Sequence, residues 1–333
     1  MSRDRRDNPN RNAAARGSYS GKAARRKKPR FKRFAFLAFL FFVSLYLIIT
    51  GAMSVYYAGE VIRPARSPVT PINKNIAYPY TSVTFKSRGG DVQLNGWHFN
   101  AKKTPNILII VHGFGGNRFP FGGQTLDFVE SIIQGGFNVL AFDLRNSGEK
   151  SGISTFGLYE KLDVLGAVDY AKNAGYANIA ILGVSTGANA AAMAGAATST
   201  EDVGALILDS PIVDIRSFIL RLVHEKNPKL PEFPFNFLTP LFVGLNINGD
   251  VYDANAEVNL NKFIPRHVQL IYGTNDEIVS MSEISSLYDG YMSRAVGKIS
   301  IWNVPGAGHG GCFAAAGDEY VERVTAFLRR VFI

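Results

Sequence analysis

Gly183-Val184-Ser185-Thr186-Gly187 stands between an apolar run, Asn178 to Leu182, and a run of small residues, Ala188 to Met193. That context predicts a strand, a sharp turn and a helix, with the serine on the turn. The glycines let the backbone turn tightly and let the helix pack close. The N–H groups at the helix start would face any oxyanion formed beside Ser185. Such a serine is a candidate nucleophile for acyl chemistry, provided a base and a carboxylate reach it.

Three segments supply the partners. Asn106 to Val111 is an unbroken apolar run, as in a buried parallel strand, and His112-Gly113-Phe114-Gly115-Gly116 follows it. A glycine-rich turn there can offer a backbone donor, so the N–H groups of Phe114 and Thr186 are the expected oxyanion pair. Val268 to Gly273 is followed by Asn275-Asp276-Glu277, which places Asp276 just beyond a strand end. Asp276 would orient a histidine, with Glu277 and Asp209 as substitutes. Lys298 to Val304 leads into Pro305-Gly306-Ala307-Gly308-His309-Gly310, which puts His309 on a flexible turn after the last strand. His309 is the expected base. Of the other histidines, His98 and His267 lie in or beside strand-like runs, His224 reads as solvated on a helix, and His112 would orient the glycine turn. Cys312 lies near His309 but has no strand–turn–helix context, so it reads as packing.

These elements alternate. Thr81–Lys86 and Val92–Phe99 read as an antiparallel edge hairpin, and the later strand-like runs alternate with helical patterns such as Leu158, Leu162, Leu165, Val168 and Tyr170. Tyr320, Val321, Val324, Phe327 and Leu328 mark the last helix. The pattern is α/β, a mostly parallel sheet with helices on both faces.

The chain order Ser185, Asp276, His309, with the glycine turn upstream, resembles that of the α/β-hydrolase superfamily over about residues 81–333. The segment Phe142-Asp143-Leu144-Arg145-Asn146-Ser147-Gly148 and the stretch Gly157 to Asp163 are similar to bacterial serine hydrolases built as a membrane anchor plus a hydrolase domain, although that group often has His where Ser147 stands. Asp143 and Arg145 would brace this loop. The resemblance implies the α/β-hydrolase fold, with an eight-stranded sheet and a short helical cap over about 211–264. The aromatic and aliphatic residues of that insertion could line an apolar acyl pocket or fill the core beneath it.

Charge divides the chain unevenly. Residues 1–33 hold 13 Lys and Arg against 2 Asp and Glu, while the whole chain nets +9, which leaves the other 300 residues at −2. The basic character is therefore that of a tail, and nucleic-acid binding is not expected. Residues 34–58 carry no charge and are long enough to span a bilayer. The positive-inside rule puts residues 1–33 in the cytoplasm and the hydrolase outside the cell membrane, as a single-pass signal anchor. Cleavage at Thr50-Gly51-Ala52 as a signal peptide is the competing reading. Pro64, Pro68, Pro71 and Pro79 suggest a linker over 59–80. A single cysteine excludes an internal disulfide, and no metal-ligand or dinucleotide motif is present, so no cofactor is expected.

The expected activity is cleavage of a carboxylic ester or thioester of a small-molecule or lipid-like acyl substrate, through an acyl-enzyme on Ser185. The alternatives are a peptidase or aminopeptidase of the same fold, acyl transfer to another acceptor, and a non-catalytic membrane-tethered binding module.

Overall fold

The computed structural model describes residues 30–69, 77–148, 152–199 and 202–333. The basic tail thus lies almost wholly outside the described residues, as does Pro71. Contacts divide the chain into two units, one ending at Ile48 and one beginning at Ile49.

Eight strands form one sheet: β1 (Thr81–Lys86), β2 (Gln93–Phe99), β3 (Asn106–Val111), β4 (Asn138–Phe142), β5 (Asn178–Val184), β6 (Ala205–Asp209), β7 (His267–Gly273) and β8 (Ile299–Val304). Their spatial order is β1-β2-β4-β3-β5-β6-β7-β8. β2 runs antiparallel to both β1 and β4, and the remaining pairs are parallel. The chain reverses its direction of travel across the sheet between β3 and β5. In open α/β sheets, ligands bind beyond the carboxyl ends of the strands at such a switch point.

The helices are α1 (Arg30–Val61), α2 (Thr125–Gln134), α3 (Glu160–Asn173), α4 (Thr186–Ala196), α5 (Ile215–Lys226), α6 (Phe235–Ile247), α7 (Ala256–Phe263), α8 (Met281–Met292), α9 (Cys312–Ala316) and α10 (Asp318–Phe332). Strand residues alternate between the two faces, as the two-residue period requires. Ile107, Ile109, Ile179, Ile181, Leu206 and Leu208 face the core that contains α3, α4, α7 and α8. Leu108, Ile110, Ala180, Leu182 and Ile207 face α2, α9 and α10.

Three sequence expectations change. First, 59–80 is not wholly a free linker. α1 continues to Val61, and Thr50, Ser54, Tyr57, Ala58 and Val61 are buried at helical spacing. Beyond the helix, the Ser67 N–H donates to the Gly115 carbonyl at 3.3 Å, and Asn117 Nδ2 donates to the Ser67 and Pro68 carbonyls. Proline-rich backbone has carbonyls to spare, and here they are used as acceptors. The expected span over 34–58 accordingly ends in residues that belong to the second unit's core.

Second, the insertion after β6 is not all cap. α7 packs on α4 so tightly that a Cβ on Gly195 would lie 2.9 Å from the Phe263 ring. Small residues on α4 permit that approach. Asn189, buried in α4, pins both ends of the rest: its Oδ1 accepts from Ile212 N, and its Nδ2 donates to the Ile212 and Ala254 carbonyls.

Third, α3 buries two acids along with its apolar residues, and it starts at Glu160, after Leu158. Glu160 accepts from Asn146 Nδ2 and from the Thr155 and Gly157 N–H groups. Asp163, fully buried, pairs with Arg145 at 2.9 Å. Burial pushes the Asp163 carboxyl upward, against the pull of Arg145. Each buried acid is thus hydrogen-bonded, as burial of such groups demands.

Candidate active site

The ends of five parallel strands converge on one rim. The register pairs Val111 with Gly183 and Val184 with Asp209, which brings the turn after β3, the turn after β5 and the end of β6 side by side. Ser185 sits between β5 and α4 at φ 56° and ψ −127°. A non-glycine residue seldom holds such a conformation, and strain of this kind concentrates at functional sites. Two glycines make the turn possible. A Cβ on Gly187 would lie 2.3 Å from the His112 carbonyl oxygen, and one on Gly183 would lie 2.5 Å from Ala188 Cα. Because the obstacle at Gly187 is backbone, Gly187→Ala should destabilise the fold by about 2 to 3 kcal/mol. Thermal unfolding of the variant checks this.

The loops after β7 and β8 lie against each other. Thr274 N donates to the Val304 carbonyl and Asn275 N to the Ala307 carbonyl, both at 2.9 Å. Gly273 permits the contact, since a Cβ there would come within 2.3 Å of the Ala307 carbonyl oxygen. Asp276 and His309 meet as a result. His309 Nδ1 donates to Asp276 Oδ2 at 2.8 Å, and Ser185 Oγ donates to His309 Nε2 at 2.8 Å. The other Asp276 oxygen accepts the N–H groups of Ile278 and Val279 at 2.8 and 3.0 Å. Burial alone would raise the Asp276 carboxyl. The His309 hydrogen bond and charge, with the two backbone donors, outweigh it and hold the carboxyl below its ordinary range. An ionised Asp276 keeps the proton on Nδ1, which leaves Nε2 free to accept from Ser185.

The turn after β3 is set by His112. Its Nδ1 donates to the Gly113 carbonyl at 2.8 Å, and its Nε2 accepts from Leu144 N at 3.2 Å. Those bonds require the neutral ring, and burial lowers its pKa accordingly. A Cβ on Gly113 would lie 3.0 Å from Ser185 Cβ, so only glycine brings this backbone against the serine. Phe114 follows it, its ring stacked on Phe156 and edge-on to Phe218 of α5, with centroids 5.8 Å apart in both pairs. Thr186 is the first residue of α4, so its N–H lacks a carbonyl within the helix. The structure therefore brings Ser185, Asp276, His309, Phe114 and Thr186 to one place.

The substitutes lie elsewhere. Asp209 is buried and accepts from Ser210 Oγ at 2.9 Å and Tyr320 Oη at 3.0 Å. Ser210 Oγ in turn accepts from Gly310 N at 3.1 Å, beside His309. This buttress was not anticipated; a carboxylate at a buried strand end followed by serine is the signal that could have revealed it. Burial, the leading cause, raises the Asp209 pKa despite these bonds. A carboxyl raised on folding stabilises fully below its unfolded pKa, and that contribution disappears as pH rises through the folded value. The melting temperature of wild type minus that of Asp209→Asn should therefore fall from acid pH toward neutrality. A constant difference would contradict the shift. Glu277 is exposed. Cys312 is buried, and burial beside Asp209 pushes its thiol well above the ordinary value, as suits packing.

Of the remaining predicted residues, His98 is buried between Tyr170 and Tyr176, and His267 opens β7 beside Lys298. His224 is half-buried rather than solvated, with Nε2 donating to the Leu230 carbonyl at 3.1 Å. Asp143 binds Arg118 through its backbone N–H and guanidinium, and Arg145 binds Asp163, Asp91 and Ser87, so both brace their loop. Among the described residues, no group of three or more His, Cys, Asp or Glu could hold a metal ion.

The family profile described as alpha/beta hydrolase fold matches residues 106–279, more than half of the chain. The chain belongs to the α/β-hydrolase family. Solved structures similar to it include the Pyrococcus furiosus esterase Pf2001, with a TM-score of 0.66 and 24% identity over 82% of this chain and 99% of that one. Est1E from Butyrivibrio proteoclasticus aligns with a TM-score of 0.56 and 19% identity over 75% and 98% of the two chains. A dienelactone hydrolase from Anabaena variabilis aligns with a TM-score of 0.54 and 16% identity over 76% and 98%. No curated protein matches the chain.

Proposed function

We propose that the protein is a membrane-anchored serine hydrolase that cleaves carboxylic esters or thioesters. The observation that carries this reading is the unbroken relay from Ser185 Oγ through His309 to Asp276, with both links at 2.8 Å. Ser185 Oγ attacks the acyl carbon while its proton passes to His309 Nε2. The N–H groups of Phe114 and Thr186 stabilise the oxyanion. As the tetrahedral adduct collapses, His309 gives its proton to the leaving alcohol or thiol, and the acyl group stays on Ser185. A water molecule, deprotonated by His309, then attacks the ester, and the acid leaves as the proton returns to Ser185.

Ester cleavage is favoured over aminopeptidase action because Asp209, an acid that could grip a substrate amine, is sealed under the site by Ser210 and Tyr320. The similar structures include an esterase and a dienelactone hydrolase, which points the same way. The anchor reading rests on Phe31–Val61, a helix whose 18-residue apolar window has a mean hydropathy of 2.4. With the basic tail inside, the hydrolase would lie outside the cytoplasm.

A fluorophosphonate reporter applied to membranes tests the mechanism. A single adduct, mapped to Ser185 by peptide mass, is the expected result. Folded protein that takes no label would count against an activated serine.

A further inference from the structure

α6 is apolar on nearly every side, with Asn236 and Asn246 as its amide side chains. Phe235, Val243 and Ile247 are buried, yet Phe237, Leu241 and Leu245 on the other side are 58%, 46% and 67% exposed. Phe233, just before the helix, is 72% exposed as well. A helix that is apolar on every side is ordinarily covered on every side, and exposed apolar faces of this kind mark interaction sites. At 13 residues α6 is too short to cross a bilayer. Alongside this face runs a groove of about 460 Å³, whose walls include Arg216 and Tyr252. Arg216 Nη1 donates to Tyr252 Oη at 2.6 Å, which fixes a cation beside apolar surface.

The chain itself indicates what covers this face. α1 is exposed from Phe31 to Ile49, apart from half-buried Ala38, a length of about 28 Å at 1.5 Å per residue. That is about the thickness of a bilayer's hydrocarbon core. From Thr50 onward one side of the helix is buried in the second unit. There, Tyr57 packs edge-on against Phe235, the first residue of α6, and Asn227 Nδ2 donates to Tyr57 Oη at 2.9 Å. Lys226 pairs with Glu60 at 3.1 Å. Tyr57 follows Ile49 by eight residues, about 12 Å of helix. α6 therefore begins against a residue about two helical turns along the chain from the end of the exposed stretch.

We propose that the Phe237, Leu241 and Leu245 face of α6, with Phe233 just before it, lies in the bilayer interface, its apolar side chains among the lipid acyl chains and Arg216 at the depth of the lipid phosphates. Helices that turn an exposed apolar face to the interface bind lipid in this way, and aromatic side chains favour that depth. The assignment rests on the anchor reading above. It would hold the covering helices of the site against the membrane that carries lipid-like esters.

Depth-dependent quenching tests it. The full chain is placed in phosphatidylcholine–phosphatidylglycerol nanodiscs, with an NBD fluorophore on Leu241→Cys or, separately, Leu245→Cys. Tyr46→Cys on the span and the 83% exposed Val296→Cys serve as references. The native Cys312 is buried and does not take the label. With acyl-brominated lipids, the labels at 241 and 245 should lose emission as the label at 46 does, while the label at 296 keeps it. Quenching at 46 with neither 241 nor 245 quenched would overturn the α6 assignment and leave the anchor intact. No quenching at 46 would remove the anchor reading and this proposal with it. Pyrene excimer emission from position 241 without lipid quenching would assign the face to a second copy and also overturn the proposal.

Discussion

Ser185→Ala is expected to lower kcat on a water-soluble ester by roughly 10⁴- to 10⁶-fold, as removal of an activated serine does in other triad enzymes. The methyl group replaces only the hydroxyl, and the backbone strain at φ 56° persists in the variant, so the fold should survive. Fluorophosphonate labelling should vanish while the melting temperature stays close to that of wild type. Residual turnover should remain above the uncatalysed rate, because the N–H groups of Phe114 and Thr186 do not depend on the serine hydroxyl. Near-normal kcat in a folded Ser185→Ala protein would exclude the acyl-enzyme mechanism.

Asp276→Asn is expected to lower kcat by roughly 10⁴-fold, through the histidine tautomer rather than through lost contact. The side chain keeps its shape, and its carbonyl oxygen can still accept from Ile278 and Val279 N–H. Its amide nitrogen, however, would now donate to His309 Nδ1. That bond drives the ring proton to Nε2, the atom that must accept from Ser185. The loss should shrink at high pH, where hydroxide competes with the histidine as base. The pH–rate profile therefore separates a tautomer effect from simple misfolding, which would depress the rate at every pH. A loss of less than tenfold near neutrality would assign the orienting role to another group.

Much of this candidate site is legible in the sequence. The order of Ser185, Asp276 and His309 along the chain, each just beyond an apolar run, marked them as rim residues of one sheet. Parallel strands buried on both faces are written as nearly continuous apolar sequence, so local pattern carried the α/β class and the mostly parallel sheet, and the family resemblance carried the eight-stranded fold. Glycines at 183 and 187 flagged the turn because so few other residues tolerate it. The edge hairpin and the last helix were readable for the same reason: each depends on neighbours in sequence.

What local pattern could not carry was decided by contacts between residues far apart in the chain. Asp276 was the expected acid and Glu277 and Asp209 its substitutes, but sequence could not show which of the three carboxylates meets His309; the loops after β7 and β8, packed through Gly273, do. That packing puts His309 against Asp276, while Asp209 is taken up by Tyr320 and Ser210. Asn189 looked like one member of a small-residue run, yet burial makes it the clamp on the cap, since a buried amide must find partners. The proline-rich stretch after α1 looked like a linker, because sequence shows a backbone without a periodic pattern and not the Asn117 amide that holds it. The long apolar helix read as one membrane span of uniform character. Only the burial of Thr50, Ser54, Tyr57, Ala58 and Val61 divides it into a part exposed to its surroundings and a part belonging to the hydrolase core. Hydrophobicity drives a side chain out of water and does not specify whether lipid or protein receives it, so that choice belongs to the tertiary structure.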